Sequence, residues 1–596
     1  LYAPHLTPAR VLESQLRAAG GDNNFEVIDL ARTNETLASL TETVRTSLQI
    51  NPDVLAIFVG NNWNLLETPE VSPYAPSIPA RREVAKALRT EGIAGPVRLA
   101  AERLRERAAA ALEQIAFIAR TVQIPVVLVL PEVNLADWET RQPPVWLPGD
   151  GTARWHDLYR DAIGALEQGD FATASDAARE MLDLDGGACA STWRLKALIA
   201  QGVGDLEEAH CAALAEVDSA PYATLAFLGA PQATMAVREI QRDAARRHGF
   251  AAVDLRTVFQ EHTGESLPGR RLFLDYCHLT AEGIHVAMAA VAAEVLNLSG
   301  LLEDVDWQSL LLRLPVSSLS PEAEATARLG TAIHSAHRLL AVGPKGPILE
   351  HWLDAALEAS PGVEAAMLDI AEARCVPGPA VLTAALRRNF ASPYRLLLQH
   401  GIRWDFLDAE LLEAIQAVLE RRGRPVREWI ARLLLQNHAI GEQGTDLAEP
   451  PYLWEPLERF FPEVMRFEDL AERATIRSPW PASSFCLVCD GKKDVLIEPT
   501  LRLPAIEGNR CGPVVFEVNG VQIGTMDATD RWSRRTLRID RERPRPGLNR
   551  LTLRWPVPRE DGAAALQGAI RRLEQGLAAD LHPVFGEVFS LIARTA

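Results

Sequence analysis

A doubly wound α/β body, a three-layer α/β/α sandwich around a parallel sheet, is the fold class the sequence predicts. A helical-repeat insert interrupts this body, and an all-α region and a small β-sandwich follow it. Three observations carry this expectation. Short apolar runs alternate with amphipathic stretches over residues 1–135. A Gly-Asp-x-x-x-Ala phrase recurs within a helical stretch. Near the C-terminus, Asn-Gly and Pro-Gly pairs separate β-rich runs.

In the first region Val11–Ala19 has helical spacing, Phe25–Leu30 reads as a short strand, and Glu35–Leu48 as a helix opening after Thr33-Asn34. Val54–Gly60 is a buried strand, and Leu99–Val122 is an amphipathic helix rich in Ala, Leu, Glu and Arg. Ile124–Leu130 is an unbroken apolar run, the pattern of a strand covered on both faces. Strands separated by helices imply a parallel sheet with its chemistry at the strand C-terminal ends. The repeat follows: Gly169-Asp170-Phe-Ala-Thr-Ala174 recurs as Gly204-Asp205-Leu-Glu-Glu-Ala209, similar to the tetratricopeptide helix–turn–helix unit. Sheet-like alternation then resumes, with a helix at Ala233–His248, a strand at Ala251–Leu255 and a helix at Ile284–Leu296.

Residues beyond 300 are mostly helical until about 480. Four strands are then expected, Val514–Asn519, Gln522–Asp527, Arg535–Ile539 and Asn549–Trp555, with Asn519-Gly520 as a hairpin turn. The expected organisation is therefore 1–150 and 225–299 for the α/β body and 151–224 for the insert. A helical domain at 300–480, a jelly-roll-like module at 481–558 and a helical segment at 559–596 complete it.

Composition narrows the function. With 47% hydrophobic and 23% charged residues the chain reads as globular, and a net charge of −18 argues against a nucleic-acid or anionic-membrane surface. Seven thinly spread cysteines suit reduced thiols and a cytoplasmic setting, with export left open by an N-terminus that does not begin with Met. Apolar runs such as Ile124–Leu130 are too short to span a bilayer. Cys486, Cys489 and Cys511 fall short of a four-ligand zinc set and are expected to be buried thiols. No metal and no cofactor is expected.

Two phrases carry chemistry. Asp275-Tyr-Cys-His278, ahead of Gly283 and an apolar helix, mounts a carboxylate where it can orient an imidazole as a general base. Gly60-Asn61-Asn62-Trp63 ends a buried strand, so it presents a side-chain amide where an oxyanion could be stabilised. Together they resemble the SGNH, or GDSL-like, hydrolase family, whose pattern has four blocks: a Gly-Asp-Ser nucleophile, a Gly, a Gly-x-Asn and a late Asp-x-x-His. The resemblance covers 1–150 and 225–298, with Trp63 where the family has Asp.

The resemblance implies a serine esterase or acyl transferase working through an acyl-enzyme. His278 would be its base, Asp275 the partner of that base, and Asn62, Gly60 and Ala31 the oxyanion donors. Asn61, Trp63, Arg32 and His5 would line the substrate pocket; Arg32 could equally face solvent. Ala31-Arg32 stands where the family has its second Gly. The serine is expected just upstream of Leu1. The implied substrate is an ester-bearing small molecule, a glycan or a carrier-bound acyl group, and the insert is a possible surface for a protein partner. The alternative is an inactive scaffold that uses the repeats and the β module for binding. In that module Trp532 and Trp555 are candidate sugar platforms or core residues.

Overall fold

The computed structural model describes residues 6–20, 25–220, 230–300, 305–313, 319–339, 344–390, 392, 394, 395, 397, 406–455, 475–504 and 510–596. They divide into two compact units. One comprises Ala3–Gln142 and Leu158–Leu319; the other draws on Pro143–Asp157 and Ser320–Ala596.

The first unit is α/β. In chain order it contains α1 (Pro8–Ala19), α2 (Leu37–Ser47), β1 (Leu55–Phe58), α3 (Trp63–Leu66), α4 (Ile78–Glu91), α5 (Ala94–Thr121) and β2 (Val126–Leu130). After α6 (Gly151–Glu167) come α7 (Phe171–Asp185), α8 (Ala190–Val203), α9 (Leu206–Ser219), α10 (Met235–His248), β3 (Ala251–Asp254), α11 (Leu255–Thr263) and α12 (Ala281–Ser299). The three strands are parallel in the order β1-β2-β3, with Leu55 opposite Val126 and Leu130 opposite Asp254.

All five residues of β2 are buried, and alternation sends them to two cores. Val126, Leu128 and Leu130 meet α2, α5 and α10 on one face. Val127 and Val129 meet α1, α11 and α12 on the other. Full burial of each such side chain contributes roughly 1.5–3 kcal/mol, so β2 anchors both layers. Helix α5 keeps Leu104, Ala108, Leu112, Ile115 and Ala119 on its buried side, at the spacing a 3.6-residue turn requires. Helix α12 is long and apolar enough to cross a membrane, and 72% of that stretch is buried inside the protein.

The expected strand Phe25–Leu30 does not form. These residues run outside any strand, and Ile28 and Leu30 are 49% and 42% exposed. A strand persists only when a neighbour takes up its backbone N–H and C=O groups. The outer edge of β1 has no strand partner among the described residues, so no ladder reaches this segment.

In the insert, the two copies of the repeated phrase have matching geometry. Asp170 and Asp205 cap α7 and α9 with nearly identical backbone angles, and their carboxylates accept from Thr173 N and Glu208 N at 3.1 Å each. Further helix hairpins occur in the second unit, including Pro321–Arg338, Gly346–Ala359, Val363–Cys375, Ala409–Arg421 and Arg427–His438.

Its remaining part is built from two antiparallel sheets. Their strands are β4 (Thr445–Asp446), β5 (Ile476–Ser478), β6 (Ala482–Cys489), β7 (Val495–Arg502), β8 (Cys511–Val518), β9 (Val521–Thr529), β10 (Ser533–Arg534), β11 (Leu537–Ile539), β12 (Gly547–Arg554) and β13 (Gly586–Thr595). One sheet runs β10-β7-β13-β4, with β11 on β7 and β5 on β13; the other runs β6-β12-β8-β9. Phe485, Phe516, Phe585 and Leu551 are among the side chains filling the space between them. The Asn519-Gly520 hairpin turn takes positive φ at both residues (51° and 79°), as a two-residue turn matched to strand twist requires.

The C-terminal stretch departs from expectation. A helix does form over Gly562–Glu574, but residues 586–595 are the strand β13 at the heart of its sheet. Val588, Leu591 and Ala593 point into the sandwich core. The apolar run is too short for periodicity to separate helix from strand, and pairing with β7, distant in sequence, decides it.

Candidate active site

The turn Asp275–His278 is held from three sides. At its base Leu274 N donates to His278 O at 2.7 Å, and Phe273 bridges Leu279 in antiparallel fashion. On the helix side, Thr280 caps α12 by accepting from Gly283 N at 3.1 Å. Gly283 is required there: a Cβ would lie 2.4 Å from the Leu272 carbonyl oxygen. On the sheet side, the segment after β2 reaches across. Asn134 N donates to Tyr276 O at 3.0 Å and Asn134 Nδ2 to Asp275 O at 3.1 Å. The Tyr276 ring meets Trp138 edge-on at 5.0 Å and lies 5.6 Å from the His278 ring.

Within that frame Asp275 is 1% exposed and does three jobs. Oδ1 accepts from the backbone N–H of Cys277 (3.0 Å) and of His278 (2.8 Å), and the carboxylate faces His278 Nδ1 at 2.8–3.0 Å. The His278 side chain is half exposed (51%). With Nδ1 turned to the carboxylate, Nδ1–H is the favoured tautomer and Nε2 keeps its lone pair on the opposite edge of the ring. Burial by itself pulls the His278 pKa down, but the Asp275 charge, with Cys277 adding to it, raises it well above the ordinary imidazole value. Burial, in turn, pushes the Cys277 thiol up against the pull of His278. Cys277 Sγ lies 4.0 Å from His278 Nδ1, and Asp275, Cys277 and His278 are the one group of three potential metal-ligating side chains found among the described residues.

The second predicted phrase occupies the C-terminal end of β1. Gly60 has φ +127°, and a Cβ there would meet Gln241 Nε2 at 3.0 Å, Val237 at 3.1 Å and Pro131 at 3.3 Å, so only glycine suits the bend. Asn61 Oδ1 accepts from Ala233 N at 3.1 Å, and Asn64 Nδ2 donates to Gln232 O at 3.2 Å. These bonds tie the turn to the start of α10. Asn62 sits at the head of α3, half-buried, and its side-chain amide hydrogen-bonds to no described residue.

Other expected site residues are placed differently. Trp63, expected at the pocket, is 1% exposed and belongs to the core that α2, α5, α10 and the sheet share, so its bulk supports the fold. Ala31 and Arg32 are exposed, and Ala31 N–H donates to Asp29 Oδ1 at 3.0 Å, which engages the expected oxyanion donor locally. His5 lies outside the described residues. Cys486 and Cys489 are buried free thiols, whereas Cys511 is free and exposed, contrary to its expected burial.

Sequence reading missed Asn134, Trp138 and Tyr276, which support the turn. Their signal was positional: Asn134 directly follows an unbroken apolar strand, where a parallel sheet presents functional groups. It also missed the charged shelf beside them. Buried Glu132 pairs with Arg256, and fully buried Arg238 donates to Pro131 O and to Asp254 Oδ1, the latter at 2.5 Å. Both carboxylates sit at the C-terminal ends of β2 and β3.

The arrangement can accept a proton at Nε2 of an oriented imidazole and, at a separate strand end, offer an amide that engages no described residue. No protein-family model matches the chain, and no curated protein matches it.

Proposed function

We propose that this protein is an SGNH-type serine esterase or acyl transferase. The observation that carries the reading is the buried Asp275 carboxylate on Nδ1 of a half-exposed His278. Such a pair serves as a base toward a hydroxyl, because the carboxylate stabilises the imidazolium formed when Nε2 takes the proton.

The nucleophile of this reading is a serine on a segment preceding Leu1. Two features support a further strand there: the outer edge of β1 has no strand partner among the described residues, and apolar Ile28 and Leu30 are exposed. The serine oxygen attacks an ester carbonyl while its proton moves to His278 Nε2. The carbonyl oxygen, now negative, is met by the Asn62 amide, an interaction worth roughly 3–4 kcal/mol in such sites. Collapse of the tetrahedral species expels the alcohol, which takes the proton from His278. Water or another acceptor then releases the acyl group by the same steps.

Sequencing the gene immediately upstream of Leu1 is the first test, with Gly-Asp-Ser expected there. A fluorophosphonate probe should label the protein carrying that segment and fail on its His278→Ala variant. An upstream segment without a serine, or a chain inert to both the probe and p-nitrophenyl esters, would instead favour the binding-scaffold alternative.

A further inference from the structure

Trp532 and Phe589 are large apolar side chains left open to solvent on the sandwich, at 40% and 38% exposure, and they touch: their ring centroids are 5.8 Å apart. Phe589 reaches that place through a backbone irregularity. Along β13, Val588 pairs with Leu501 and Ser590 with Thr500, so Phe589 is an extra residue in the ladder. A bulge sacrifices pairing to re-aim a side chain, and here it aims an aromatic ring outward while Val588 and Leu591 stay in the core. Trp555, the other tryptophan of this module with platform potential, is 4% exposed and donates to Ser483 Oγ at 3.0 Å, which makes it core.

The surroundings are charged in an ordered way. Arg502 stacks on the Trp532 ring at 4.6 Å and is held by Glu587 at 2.5 Å. Glu587 also holds Arg477, which pairs with Asp580 at 2.7 Å. Nearby, Glu498 holds both Arg534 and Arg594. The carboxylates lie underneath, with Glu587, Glu498 and Asp580 side chains 4–11% exposed. The guanidinium groups lie on top: Arg534, Arg594 and Arg502 are 64%, 42% and 30% exposed. The face offered to solvent is therefore aromatic and cationic, on a chain whose net charge is −18.

We propose that this face of the β10-β7-β13-β4 sheet binds an acidic polysaccharide, a chain of pyranose rings bearing carboxylates. The C–H face of a pyranose is apolar and weakly positive, which suits the negative face of an indole or phenyl ring. Sugar carboxylates suit guanidinium groups pre-set by buried anions, since the planar fork matches a carboxylate in two bonds and needs little further ordering. The positive patch is local, so it selects a polyanion that also stacks, and the chain's overall negative charge repels one that does not.

Isothermal titration of the whole protein with an oligogalacturonate, and with a neutral maltooligosaccharide of equal length, tests this. The oligogalacturonate is expected to bind, more weakly as NaCl is raised, and the neutral sugar at least about tenfold more weakly. Trp532→Ala and Phe589→Ala should each weaken binding by about tenfold or more, while Trp532→Phe retains most of it. Unchanged melting temperatures would keep misfolding out of the comparison. His278→Ala should bind as wild type does, which separates this site from the esterase reading. No binding of oligogalacturonate, equal binding of the neutral sugar, or wild-type affinity in Trp532→Ala and Phe589→Ala would each overturn the proposal. So would Trp532-dependent binding of phosphatidylserine vesicles with none of the oligosaccharide.

Discussion

His278 owes its direction to a carboxylate with almost no exposure of its own. Because the folded pKa of His278 is raised, the pair's contribution to stability is complete below the ordinary value of 6.5 and is lost as pH rises through the folded pKa. The catalytic consequence runs the other way: neutral base accumulates only above the raised value. Under the esterase reading, the acid limb of kcat/KM therefore lies above 6.5, and histidine NMR should report the same midpoint. Asp275→Asn should move that midpoint down and lower kcat by roughly ten-thousandfold, as the tautomer is no longer fixed. Asn134 acts one step back. Asn134→Ala removes the Nδ2 donation to the Asp275 carbonyl and should cost about 1–2 kcal/mol in urea denaturation. It should also lower kcat more than it raises KM.

At the scale of elements, two short turns hold the candidate groups and each depends on one glycine. Gly60→Ala forces a side chain into a positive-φ bend already crowded by Gln241, Val237 and Pro131. It should destabilise the protein by about 1–3 kcal/mol, read as a lower denaturation midpoint with the slope unchanged. These turns were legible because their signals are local: Gly-x-Asn after an apolar run, and Asp-x-x-His before a capped helix. The paired caps at Asp170 and Asp205 were legible for the same reason. Asp170→Ala and Asp205→Ala should lower the melting temperature by similar amounts, as befits two copies of one cap. Phe25–Leu30 and residues 586–595 were misread, since neither local pattern says whether a partner strand will be there.

In the α/β unit as a whole, the insert is bound into the body by buried polar links. Arg194, 2% exposed on α8, donates to Leu135 O and Ala136 O and pairs with Glu139 at 3.1 Å, with Glu216 at 3.7 Å. Glu216 also accepts from Thr140 N, and Gln142 N donates to Ser191 Oγ. The loop receiving these bonds is the continuation of the segment that supports the Asp275 turn through Asn134. Arg194→Ala should cost roughly 3–5 kcal/mol, because it removes the buried cation that Glu139 and Glu216 share. Under the esterase reading it should also lower activity without touching a reacting group. A denaturation midpoint within error of wild type would show the insert to be a detachable module.

Spacing within the chain was enough to determine the parallel α/β character of residues 1–300, the Asn-Gly hairpin, the repeat and both turns, since a residue's own neighbours dictate periodicity, capping and turn chemistry. Tertiary structure alone decided that Trp63 is core, that Ala31 N–H is engaged by Asp29, that residues 586–595 are a central strand, and that Phe589 stands beside Trp532. Each of these rests on which distant segment is near, and that follows from the packing of apolar faces and the pairing of backbone groups across the chain.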